Sequence, residues 1–180
     1  MARNFRSLAL SLALATLAGG CVVSKTPLLG PETRALPFAS GTKFQTYEQE
    51  RSGRPWKKDE KTIALVADAE KVIREVNDAG KVKPDEDYTL HPLGPNRFLV
   101  QARFSAERYA YGVLEIRRGE GIVTALQCKN INQRAFKAAG GTITADDCAL
   151  DGVSKARRLL KQLARRPTGA QIKYVPVRKQ

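Results

Sequence analysis

Three cysteines, a single histidine and two short acidic runs are the residues of this 180-residue chain whose types could do chemistry. A hydrolytic triad needs a histidine within reach of a nucleophile. His91 stands beside Pro92, and no G-x-S-x-G elbow accompanies it. A thiol–imidazole pair would draw on Cys128 or Cys148, but His91 lies 37 residues before Cys128. The same isolation argues against a metal site, because zinc needs several nitrogen and sulfur ligands at set spacings. Asp146-Asp147 has the residue types of a general acid and base. Adjacent carboxylates ahead of a helix more often serve as caps and dipole partners. Asp85-Glu86-Asp87 lacks the spaced ligands of a calcium loop and reads as a solvated loop. No nucleotide loop, Walker motif or zinc spacing occurs between Tyr88 and Cys128. The expectation is a non-catalytic protein with no cofactor and no metal.

The first 21 residues are more specific. Arg3 and Arg6 form a short positive region, Leu8 to Leu17 is an uncharged apolar run, and Ala18-Gly19-Gly20 follows it. That is the anatomy of a secretory signal. The tail Leu17-Ala18-Gly19-Gly20-Cys21 resembles the lipobox of bacterial lipoproteins. The resemblance covers residues 1–21 only and implies a diacylglyceryl group on the Cys21 thiol, with cleavage making Cys21 the new N-terminus. Val22 after it, rather than Asp, implies outer-membrane sorting with the protein facing the periplasm. Two alternatives stay open: an ordinary signal cleavage that leaves Cys21 a free thiol, and an uncleaved anchor using the uncharged stretch Ser7–Ser24. All three place the remainder outside the cytoplasm.

With Cys21 lipidated, Cys128 and Cys148 are left to pair in an oxidising compartment. Their bond would close a loop of about 20 residues, a stabilisation on the order of 3 kcal/mol in the chain-entropy view.

Removing residues 1–20, which carry Arg3 and Arg6 and no acidic residue, leaves 160 residues with net charge +11. That length suits one domain. Export turns the expected electrostatic partner away from nucleic acid and toward anionic envelope components: lipid head groups, lipopolysaccharide phosphates or cell-wall carboxylates. From Asp151 to Gln180 there are nine basic residues and one acidic, so most of the charge is concentrated at the C-terminal end.

These residues need elements to position them. Residues 21–40, with Pro27, Pro31 and Pro37, read as a membrane tether, and 41–180 as a single globular domain. Gly41–Tyr47 alternates as a strand, and Trp56 reads as a cap on one end of the core. Residues 61–80 fit either a helix or a hairpin; their β-branched residues and the strands around them favour the hairpin. Four β-rich runs between Tyr88 and Cys128, separated by short turns, predict an antiparallel meander. In it Phe98, Val100 and Ala102 face the core, and Leu99, Gln101 and Arg103 face water. A short helix is expected within 130–139. An amphipathic helix follows from Val153 to Arg166, capped by Asp151 or Ser154 and ended by Pro167. Leu159, Leu160 and Leu163 lie on its apolar arc, and Arg157, Arg158, Lys161 and Arg165 on its basic arc. A last strand covers 171–177.

The fold class is therefore α+β: an antiparallel meander, curved toward a barrel, with the C-terminal helix packed on it. The function expected is a non-catalytic envelope lipoprotein that binds an anionic envelope component or a partner protein through the basic arc. The alternative is a periplasmic hydrolase.

Overall fold

A computed structural model describes residues 20–49, 54–82, 86–128, 131–144, 147–151 and 156–177. Eleven strands and two helices are found there. The strands are β1 (Cys21–Ser24), β2 (Thr42–Gln49), β3 (Lys57–Ala67), β4 (Ile73–Val76), β5 (Asp87–Gly94), β6 (Arg97–Ser105), β7 (Arg108–Arg117), β8 (Glu120–Ala125), β9 (Thr142–Ile143), β10 (Asp147–Ala149) and β11 (Gln171–Pro176). The helices are α1 (Gln133–Ala138) and α2 (Ala156–Leu163). Strands β2 to β8 follow one another around a barrel, and β11 closes it between β8 and β2. Every neighbouring pair in the barrel is antiparallel. Closure removes the exposed edges that an open meander would leave.

Turn chemistry sets the connections. Residues 61–80 form the hairpin of β3 and β4. Asp68 Oδ1 accepts from the backbone N–H of Glu70 and Val72, and Lys71 takes a left-handed conformation with φ of 59°. The β7–β8 turn places Arg118 and Gly119 at φ of 52° and 82°, the pair of positive values that a two-residue primed turn requires. Pro92 sits beside a bulge in the β5–β6 ladder, where its missing N–H is tolerated. Asn132 caps α1 by accepting from Ala135 N–H at 3.0 Å.

The barrel wall is buried on both sides at β6 and β7. Inside, Phe44, Leu65, Ile73, Leu90, Val100, Leu114, Ile172 and Tyr174 form one cluster. Outside, Leu99, Tyr111 and Val113 share a second cluster with Val22, Leu29, Leu126, Phe136, Leu150, Ala156, Leu160 and Ala164. The expected wet face of β6 is therefore wrong for Leu99 and Gln101, both buried; Arg103 alone is partly exposed. The covering elements supply the reason.

One cover is the expected tether, which is built into the fold. β1 pairs antiparallel with β7 and parallel with β10, and β9 extends that side sheet. Val22 is fully buried. Beyond β1 the chain crosses the outside of the barrel on polar pegs. Ser24 Oγ and Tyr111 Oη lie 2.6 Å apart. Gln101 Oε1 accepts from the N–H groups of Leu28 and Leu29 at 2.9 and 3.0 Å. Ala35 N–H reaches the Leu90 carbonyl at 2.8 Å, a group left open because β4 is only four residues long and pairs with β5 only at Ile73 and Tyr88.

Two further expectations change. Trp56 is half-buried, and Lys173 Nζ stands 5.3 Å from its ring and 4.7 Å from that of Tyr47, so it belongs to a cation–aromatic group rather than a core cap. The C-terminal helix ends at Leu163 and continues as a turn; residues 152–155, with Ser154, lie outside the described residues. Asp151 Oδ1 accepts from Lys25 N–H at 2.6 Å, and the helix start that Asp151 is expected to cap lies outside the described residues. The disulfide Cys128–Cys148 is present, Cα to Cα 5.6 Å, joining the chain just after β8 to β10.

Candidate functional site

Cys21 opens β1, half-buried and outside any disulfide. Its backbone N–H donates to Asp147 Oδ1 at 3.3 Å, and Asp147 Oδ2 accepts from Arg108 at 2.7 Å. Burial pushes the Cys21 thiol up to about 11, Asp147 adds to the rise, and Arg108 opposes it. Residues 1–19, which carry the signal-like pattern, lie outside the described residues, and no described helix is long and apolar enough to cross a membrane.

The four expected cations of α2 separate into two groups. Arg157 is engaged at home: its guanidinium donates to the Leu28 carbonyl at 3.1 Å and pairs with Glu32 at 2.9 Å. That bond holds the Glu32 carboxyl below its ordinary range. Arg158, Lys161 and Arg165 are exposed, and none forms an ion pair with a described carboxylate. Arg158 and Lys161 lie three residues apart on α2, with Ala156 and Leu160 buried behind them, and Arg165 follows in the turn after the helix. An open cleft of about 650 Å³ adjoins the end of α2, lined by Gln127, Gln162, Arg165, Arg166 and Thr168 among others.

His91 and the described acidic residues Glu86, Asp87 and Asp147 are structural pegs. His91 is 3% exposed. Its Nδ1 lies 2.7 Å from Thr33 Oγ1 and its Nε2 2.9 Å from Thr89 Oγ1, so both ring nitrogens are engaged. Burial, aided by the nearby Arg34 and Arg157, pulls its pKa down to about 4, while Glu32 opposes them. The neutral ring therefore ties Thr33 of the outer segment to β5, and His91 lines neither of the two cavities described here. In the second acidic run, Asp87 pairs with Arg74 and Arg103, and Glu86 is buried, accepting from Tyr88 Oη at 3.3 Å. Those two are wall residues rather than parts of a solvated loop; Asp85 and Asp146 lie outside the described residues.

The barrel lumen holds what sequence reasoning missed. A cavity of about 140 Å³ opens at the end that carries the β7–β8 turn, with Pro37 and Phe38 in its lining. Phe44, Leu65, Leu90, Val100 and Leu114 make an apolar wall. Phe38, Phe44 and Tyr174 stack edge to face, ring centroids 5.8 and 5.9 Å apart. Glu75, 6% exposed, stands in that wall together with Tyr88 and Tyr174. Burial first, then the charges of Glu75 and its neighbours, hold both phenols well above their usual range. One signal for this was available: Ile73 and Glu75 are two residues apart on a strand and so share a face, which puts a carboxylate on an apolar side.

No family model, curated protein or solved structure matches this chain.

Proposed function

We propose that this chain is a lipid-anchored envelope protein that binds its partner without transforming it, held at the outer membrane through Cys21 and facing the periplasm. The exposed cations of α2 meet an anionic envelope component. The observation that carries this reading is the unequal use of one helix and the turn after it: Arg157 is spent on Glu32, whereas Arg158, Lys161 and Arg165 face solvent without a described counter-ion. The apolar side of α2, with Leu160, docks on the outer cluster and fixes the direction of the basic side. A hydrolase is the less supported reading, because His91 is enclosed by two threonine hydroxyls away from either cavity.

The test is co-sedimentation of the mature protein, without its acyl chains, with vesicles of anionic or neutral phospholipid. Converting Arg158, Lys161 and Arg165 together to Gln should leave the melting curve unchanged and weaken capture by anionic vesicles, most visibly at low salt. Equal capture of parent and variant across ionic strength would overturn the proposal. Arg157→Gln belongs in a separate arm, since it also removes the Glu32 pair.

A further inference from the structure

The lumen is a site in its own right, independent of the basic helix. Eight strands enclose an interior that is either filled by side chains or able to hold one small ligand. Here it is only partly filled. The open volume, about 140 Å³, is close to that of a protein cavity able to take up benzene. Part of the room comes from Gly121 in β8. A Cβ built there would approach Leu114 Cδ1 to 3.1 Å and Tyr174 Cβ to 3.8 Å, so any side chain at this position would project among the lining residues. Gly121 is not in the left-handed region, so turn geometry does not explain its presence.

The polar part of the lining selects the ligand's other end. Glu75 faces the cavity, and the charges of Glu75, Glu48 and Glu86 all act on the Tyr174 phenol. A carboxylate offers about four acceptor sites, so it can receive a donor from a ligand in addition to the bonds it makes within the protein. A ligand carboxylate would bring a further negative charge into this low-dielectric space.

We infer that the barrel lumen binds a single-ring molecule of roughly benzene size whose polar end donates a hydrogen bond, an alcohol or an amine, with the ring among Phe44, Leu114 and Val100 and the donor on Glu75. The aromatic edges of Phe44 and Tyr174 suit an aromatic ring, and Pro37 and Phe38 add apolar lining.

Calorimetric titration of the mature protein with benzyl alcohol, benzylamine and benzoate tests this. The first two should bind, and benzoate should bind more weakly by about ten-fold or more, because its charge would be buried beside an acid. Glu75→Gln should narrow that gap from both sides. Gly121→Val should abolish binding of all three while the melting transition persists. Should that variant fail to fold, the methyl resonances of Val100 and Leu114 in the parent protein give the second readout and should shift on addition of benzyl alcohol. No binding of alcohol or amine at millimolar concentration, benzoate binding as tightly as benzyl alcohol, a folded Gly121→Val variant that binds unchanged, or unmoved methyl resonances would each overturn the inference. None of these outcomes bears on vesicle capture by α2.

Discussion

Acid should loosen this protein through one buried ring. His91 has a pKa near 4 in the folded state, against an ordinary value of 6.5. The unfolded chain therefore binds a proton between those two values that the folded chain refuses, and stability must fall as pH drops through the window. The contribution is fully present above pH 6.5. At 1.36 kcal/mol per pKa unit, about 2.5 kcal/mol is lost by pH 4.5. The structural cause is specific: protonation puts a charge on a ring that is 3% exposed and faces Arg34 and Arg157. Urea unfolding followed by fluorescence of Trp56, the only tryptophan, measures the effect at pH 7.5 and 4.5. His91→Gln keeps hydrogen-bonding capacity toward Thr33 and Thr89 but does not titrate. Its stability should fall less over the same interval, by about the 2.5 kcal/mol above. Carboxylates not coupled to the ring, such as Asp68, whose pKa is lowered by the Val72 N–H and Arg74, titrate in both proteins and cancel in the comparison. Superimposable pH profiles for parent and variant would refute the reasoning.

Leu160 is fully buried in the outer cluster, so Leu160→Ala should cost about 2–5 kcal/mol in urea titration; a change under about 1 kcal/mol would show that α2 is not held on the barrel. Reducing Cys128–Cys148, whose partners are 20 residues apart, should remove about 3 kcal/mol, and equal unfolding midpoints with and without reductant would contradict it. If Cys21 carries the lipid, Cys21→Ser should release the protein from the membrane fraction or leave unprocessed precursor. A processed, membrane-bound Cys21→Ser protein would rule the lipidation out.

The strands of this barrel were legible because their code is short-range. Alternation and turn chemistry lie within a few residues of each other. The Asp68 and Arg118-Gly119 turns could be anticipated in kind from local sequence, and the disulfide pair from the cysteine count once Cys21 was set aside. The hairpin over 61–80 shows the margin: Ile63, Val66, Ala69 and Ile73 satisfy a helical period, and only their β-branched character and the neighbouring strands favoured sheet. What was not legible depends on contacts far apart in the chain. Gln101 looks like a solvent residue at its place in β6, and its role as an acceptor for Leu28 and Leu29 requires knowing that those residues return over the barrel from 72 and 73 positions away. Pro27, Pro31 and Pro37 suggest a tether, and Pro31 opens a single 3-10 turn, Pro31–Thr33, within the covering segment. Yet the pairs Val22-Val23 and Leu28-Leu29 supply apolar anchors, and of these four residues only Leu28 is not buried.

The two apolar clusters explain why the molecule needs that covering segment. A barrel wall with a packed lumen and an exposed outer face would alternate apolar and polar residues along each strand. β7 does not: from Ala110 to Leu114 all five residues are buried. Its inner side chains complete the lumen, and its outer ones, Tyr111 and Val113, would present an apolar patch to water if β1, the segment after it and α2 were absent. Each cover carries a polar peg that fixes its position. Ser24 meets Tyr111, Thr33 meets His91, and Arg97 donates to the Ala164 carbonyl at the end of α2. Asp147 joins Cys21 to Arg108 in the side sheet. Apolar burial thus supplies the affinity of the covers, and single hydrogen bonds supply their register. Cys21, the cations of α2 and His91 all belong to this outer layer. The cavity belongs to the inner one, with β6 and β7 as the wall between them, so substitutions at Cys21 or at the α2 cations leave the shape of the lumen unchanged.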